Sequence, residues 1–137
     1  MPATDYPVTR TMQTRWSDND QNGHLNNAVY YELLDTVING WLAEVAGAQG
    51  DDPIIPVVVE SRCRFVAELA FPAPIRAGLR VAKIGRTSVT YELALFTDED
   101  VLAAEASWTH VYIDRLTRAS TPIPDTIRAA LATAVTP

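Results

Sequence analysis

The chain has a single cysteine, Cys63, so it cannot form an internal disulfide. That fits a reducing compartment and leaves stability to core packing. Histidine is nearly as scarce: His24 and His110 are the only 2, and they lie far apart. With one thiol beside them, no transition-metal ligand set is expected, and no cofactor. Positive charge is also short, with 11 Lys and Arg against 17 Asp and Glu and a net charge of −6. Nucleic-acid partners need a basic surface, so that class is excluded, although a small basic pocket could still hold one anion. No apolar run approaches membrane-spanning length, and no charged start leads into an apolar segment. No membrane partner is therefore expected, and a cytoplasmic location is.

What remains is 47% apolar and 20% charged over 137 residues, a balance that supports one packed domain across 1–137. Residues 1–5 and 134–137 read as loose ends. Residues 8–16 alternate loosely and suggest a first strand. From Asn27 the period changes: Tyr30, Leu33, Leu34, Val37, Ile38, Trp41, Leu42 and Val45 fall on one helical stripe, and Gly47 and Gly50 end it. Strands are expected at 55–68, 79–85, around Val89–Leu95 and at 101–113. Phe71-Pro72-Ala73-Pro74 and Thr97-Asp98-Glu99-Asp100 read as turns, and Ile127 and Leu131 as a short closing helix. One helix followed mainly by antiparallel strands is an α+β pattern, with the helix packed on one sheet face.

The densest chemistry lies in residues 15–35, where a polar turn holding Asp18, Asp20, Gly23, His24, Asn26 and Asn27 opens directly into the long helix. The first N–H groups of a helix have no internal partner and carry partial positive charge, so they can hold a carbonyl oxygen as it becomes negative. A carboxylate beside them completes the parts for acyl transfer to water. Asp20 is the candidate carboxylate, against the plainer reading that it only caps the turn. Asp18 is given a turn or capping role. Gly23 lets the backbone take a positive φ or approach a substrate closely. His24 can orient a substrate or simply satisfy the turn, and His110 reads as a core or interface residue. Asn26 and Asn27 are helix-capping side chains whose backbone N–H groups are the oxyanion donors.

The pattern Asp20-x-x-Gly23-His24-x-Asn26-Asn27-x-x-Tyr30 resembles the 4-hydroxybenzoyl-CoA thioesterase family of hotdog-fold acyl-CoA thioesterases. Lys83–Glu92 is similar to that family's third-to-fourth strand junction, and Ala104–Thr109 with Val111–Asp114 to its last long strand. Pro122-Ile123-Pro124 is similar to the lead into its terminal helix. The similarity spans about residues 8–131.

The resemblance implies a hotdog: one long central helix wrapped by a five-stranded antiparallel sheet, with a short C-terminal helix. It implies hydrolysis of an acyl thioester, with Asp20 as nucleophile or general base and the N–H of Asn27 as the main oxyanion donor. His24 is then a positioning group, and Glu32 on the helix a reserve carboxylate. Arg86, Thr87 and Ser88 become candidates for coenzyme A binding, with Arg62, Arg64 and Arg118 behind them. Asn26, Tyr30 and Tyr31 are expected against the substrate, and Trp41, Val57 and Val59 are further candidates for the acyl pocket. A homo-oligomer is implied, a dimer paired edge to edge or a tetramer, with sites built from both protomers. Two alternatives stand beside hydrolysis. Hotdog hydratases and dehydratases place an Asn-Pro or His-Phe-Pro motif where this chain has Asn22-Gly23 and His24-Leu25, which fits neither. A non-catalytic acyl-CoA-binding protein is the other.

Overall fold

A computed structural model describes residues 2–48 and 50–135. Five strands form one antiparallel sheet: β1 (Val8–Met12), β2 (Ile54–Phe65), β3 (Ile75–Ile84), β4 (Ser88–Phe96) and β5 (Leu102–Asp114), in the spatial order β1-β3-β4-β5-β2. Strands β1 and β2 are neighbours in the chain but occupy opposite edges. The chain must cross the whole sheet between them, and α1 (Asn27–Ala46) makes that crossing.

The apolar stripe of α1 explains why it lies against the sheet. Tyr30, Leu33, Leu34, Val37, Ile38, Trp41 and Leu42 are all buried, meeting Val89, Tyr91, Leu93 and Leu95 of β4 in one cluster that also holds Trp108 and Tyr112 of β5. A second helix, α2 (Asp125–Ala132), closes the end of this layer with Ile127, Ala130 and Leu131. This is the hotdog arrangement.

Several expectations need correction. Val45 is 46% exposed, because the stripe runs past the end of the sheet layer before Gly47 stops the helix with φ 62°. Gly50 falls beyond that cap, and β1 stops at Met12 rather than at residue 16 because the chain turns into a 3-10 segment at Trp16–Asp18. Strand β2 ends at Phe65, after which the amides of Val66 and Ala67 both turn to the carbonyl of Ala103. Strand β3 starts at Ile75, four residues before expectation, since Gly78 and the arginines interrupt its apolar signal.

Neither end is loose where the structure describes it. Ala3 is fully buried beside Ala94 and Phe96 on the outer sheet face, with Tyr6 packed against them. A Cβ built on Gly78 would stand 2.5 Å from the Tyr6 ring, so only glycine lets that ring lie on β3. At the other end Ala134 is buried and Val81 donates its amide to the Ala134 carbonyl at 2.9 Å. Met1, Thr136 and Pro137, also read as loose, lie outside the described residues.

Candidate active site

The polar turn is a small, heavily tied hairpin. Asn19 and Leu25 bridge its base, and the Asp20 amide donates to the His24 carbonyl at 2.8 Å. Leu25 donates to the Leu69 carbonyl at 2.8 Å, and Asn19 Oδ1 accepts the Phe71 amide at 2.9 Å, so residues 69–71 hold the hairpin from outside. Gly23 takes φ 82°, the left-handed conformation that an L side chain adopts only with strain, and its amide closes the turn on the Asp20 carbonyl.

Asp18 anchors this unit. Its buried carboxylate accepts the Arg15 amide at 2.7 Å and the Arg15 guanidinium at 2.9 Å, while its carbonyl accepts the Asn26 amide at 2.9 Å. Burial would push the Asp18 carboxyl up, but these bonds and the Arg15 charge outweigh it and hold it below the usual range. The capping role read from the sequence is the one Asp18 has.

Asp20 uses one oxygen for structure. Its Oδ1 accepts the Asn22 amide at 2.8 Å and the His24 amide at 3.3 Å. Its Oδ2 has no hydrogen-bond partner among the described residues. The residue lines a cavity of about 290 Å³ together with His24, Asn27, Tyr30, Phe65 and Glu68.

The helix start opposite is arranged to leave one donor over. Asn26 is the N-cap; its side chain accepts the Ala28 amide at 2.9 Å and its carbonyl accepts the Val29 amide at 2.9 Å. That leaves the Asn27 amide with no partner among the described residues, on a residue that lines the cavity. Asp20, with its second carboxylate oxygen, and Asn27, with its helix-terminal N–H, thus line the same cavity. They can act on opposite ends of one polarised carbonyl reaction.

The other candidates fall in different places. His24 Nε2 lies 3.0 Å from Glu68 Oε2, a pairing with no signal in the sequence because Glu68 follows β2 forty-odd residues later in an unremarkable stretch. Tyr30 is buried, its hydroxyl accepts the Leu69 amide at 3.3 Å and its ring meets Phe65 edge-on at 4.9 Å, so it is a wall of the cavity. Tyr31 instead packs on Trp108, with ring centroids 5.4 Å apart, and Trp41 is in the core. Glu32 is exposed and paired with Arg15 at 3.4 Å, away from the cavity lining. Cys63 is half-buried, and burial raises its thiol, so it is no activated nucleophile.

Arg86, Thr87 and Ser88 stand apart from Asp20 within one chain. Ser88 pairs with Val111 and Val111 with Val57, whereas Phe65, in the cavity wall, pairs with Ala104. From Val57 to Phe65 along β2 is roughly 26 Å at the usual strand rise. The Arg86 carbonyl also receives Ile123 and Arg128, which fixes this turn to α2.

Under α1, the strand residues Tyr91, Trp108, His110 and Tyr112 each bury a polar atom with no hydrogen-bond partner among the described residues. His110 is 2% exposed, and burial pushes its imidazole down to about 4, a nearby Asp35 opposing the shift only partly. Unfolded, it would titrate near 6.5, so unfolding takes up a proton between those values. The neutral imidazole therefore contributes its full share of stability above about pH 6.5, and the share is lost as pH falls toward 4. Denaturant unfolding of the native chain should lose about 3 kcal/mol between pH 7 and below 4 from this group. The His110→Gln variant should show a correspondingly flatter acid slope.

A family model described as the thioesterase-like superfamily matches residues 14–131. The chain belongs to the thioesterase-like superfamily. This hotdog is 40% identical to the PA5185 protein from Pseudomonas aeruginosa, whose crystal structure superposes with a TM-score of 0.93 over 98% of this chain and 95% of that one. It is 29% identical to PA2801, a proposed thioesterase from the same organism, with a TM-score of 0.86 and 92% and 98% coverage. A thioesterase from Thermus thermophilus, solved with coenzyme A and zinc, shares the fold at 21% identity, with a TM-score of 0.78 and 92% and 98% coverage. No curated protein matches this superfamily member.

Proposed function

We propose that this protein hydrolyses an acyl-CoA thioester to a free acid and coenzyme A. The observation that carries the reading is that Asp20, with one oxygen unpartnered among the described residues, and Asn27, with its amide likewise unpartnered, line one cavity. The Asn27 N–H holds the thioester oxygen as negative charge builds on it. Asp20 Oδ2 either adds to the carbonyl carbon, and collapse of the adduct breaks the C–S bond and releases the coenzyme A thiolate to leave a mixed anhydride that water opens, or it takes the proton of an attacking water, whose adduct breaks the same bond and releases the same thiolate. Gly23 and His24 hold the hairpin in shape, and Asn26 sets the helix start. Membership of the thioesterase-like superfamily supports the same reaction, and the coenzyme A carried by the Thermus thermophilus structure supports the leaving group.

The reading includes a homodimer. Strand β2 is a 12-residue edge with one side unpaired and with Val58, Val59 and Phe65 exposed along it. Such an edge invites pairing with an identical strand. A two-fold there runs the partner's β2 antiparallel, so the turn at Arg86, Thr87 and Ser88 of the partner subunit moves toward this chain's Asp20 cavity. That turn is the candidate phosphate-binding edge for coenzyme A.

A panel of acyl-CoA thioesters assayed with a thiol reagent tests the reaction. Release of free thiol from at least one acyl class, without hydration of an enoyl-CoA, is the expected result. Tight acyl-CoA binding with no thiol released from any member would overturn it.

A further inference from the structure

A hollow of about 670 Å³ lies on the sheet face turned away from α1, and the hydrolase reading uses none of it. Strand register lays out its floor. Arg62 of β2 stands opposite Ser107 of β5, Ser107 opposite Glu92 of β4, and Glu92 opposite Arg80 of β3. One step along the ladder, Arg64 stands opposite Glu105. Alternation along β2 puts Arg62 and Arg64 on the other side of the sheet from Phe65 and the Asp20 cavity. The floor is low because Ser107, Thr90 and Ala82 are small, while long arginines and the Tyr6 ring stand around it.

The charges around this hollow are not all paired. Arg80 donates to Glu92 at 3.2 Å and its guanidinium lies 5.8 Å from the centroid of the Tyr6 ring, so that pair is closed. Arg64 comes within 3.4 Å of Glu105 but makes no hydrogen bond to it. Arg62 has no ion-pair or hydrogen-bond partner among the described residues. Three arginines against two glutamates leave one positive charge over, in a chain whose net charge is −6. Arg62 and Arg64 are alternate residues of one strand, about 7 Å apart, close enough for both guanidinium forks to grip one phosphate. Ser107 adds a hydroxyl beside them. A bare anion would also meet the two carboxylates, whereas an anion that carries hydroxyl groups can donate to them. Strand β5 separates β2 from β4, so Arg62 and Glu92 are about 10 Å apart, a span that a phosphorylated sugar covers and inorganic phosphate does not.

We propose that the outer hollow is a second binding site, one that takes a small phosphorylated sugar with its phosphate on Arg62 and Arg64 and its hydroxyls on Glu105 and Glu92. The site stands apart from the hydrolase reading, because the hollow and the Asp20 cavity share no residue.

Titration calorimetry of the native chain with ribose phosphate, inorganic phosphate and coenzyme A tests it. Ribose phosphate should saturate one site per chain, and bind about tenfold or more tighter than inorganic phosphate. Arg62→Ala removes an exposed side chain with no partner, so Tm should hold while ribose phosphate binding weakens about tenfold or more. Glu105→Ala should narrow the preference over inorganic phosphate, since it deletes both an acceptor for the sugar and a repulsion on the bare ion. Coenzyme A, whose own ribose is phosphorylated, is the other source of the same chemistry. Competition with ribose phosphate that Arg62→Ala abolishes would assign the hollow to the nucleotide end of a coenzyme A, and no competition would assign it to a free sugar phosphate. An absence of saturable binding, equal binding of the two phosphates, or binding indifferent to Arg62→Ala would overturn the proposal.

Discussion

Asp20→Asn should lower the turnover of acyl-CoA by about 10²–10⁴-fold, the usual worth of a positioned acid or base, while Tm and oligomeric state stay as they are. The separation is possible because Asp20 does two jobs with two oxygens. Asparagine retains an Oδ1 that can accept the Asn22 and His24 amides, so the hairpin keeps its shape. What it loses is the negative charge of the carboxylate, whose second oxygen has no partner among the described residues on a residue that lines the cavity. Asp20→Ala is the less informative change, because it removes the turn's hydrogen bonds together with the chemistry. Stopped-flow release of thiol, beside a thermal melt of the same sample, checks both halves. Native-like turnover in the asparagine variant would remove Asp20 from the chemistry.

The second large effect comes from deleting a backbone group. Asn27→Pro should reduce kcat about 10²–10³-fold, the cost of removing one oxyanion donor, with the helix intact. Proline suits the first helical position, where the N–H has no intrahelical partner to lose. The residue before a proline must be extended, and Asn26 already is, at φ −62° and ψ 141°. The substitution therefore removes one N–H and little else. Far-ultraviolet circular dichroism reports the helix, and kcat the donor. Asn27→Ala, which keeps the amide, is the control and should retain most activity.

How much of this was legible before any coordinates depended on how local each signal was. The stripe from Tyr30 to Leu42 fixed α1, because its burial follows from spacing along one element. The Asp20–Gly23 hairpin and the Asn26 cap were legible for the same reason: every partner but the Leu69 and Phe71 groups lies within a few residues. Strand β3 was read short because Gly78 and its flanking arginines look like turn chemistry, whereas Gly78 is bare to admit Tyr6 from the N-terminal segment. That segment read as a loose end because its apolar residues are few and their partners, Ala94 and Phe96, are about ninety positions away. Glu68 beside His24 and the outer hollow beside Tyr6 were out of reach on the same ground, being made by strand order and not by any run of residues.

The packing of Ala3 and Tyr6 over Gly78, Ala94 and Phe96 sets how a shortened chain would fail. Those residues shield the sheet on the face turned away from α1, remote from the candidate site. A chain beginning at Val8 would keep its reactive groups and bare an apolar patch, so it should clump and precipitate before it lost intrinsic activity. A bulky fusion joined close to Ala3 would strain the same shield.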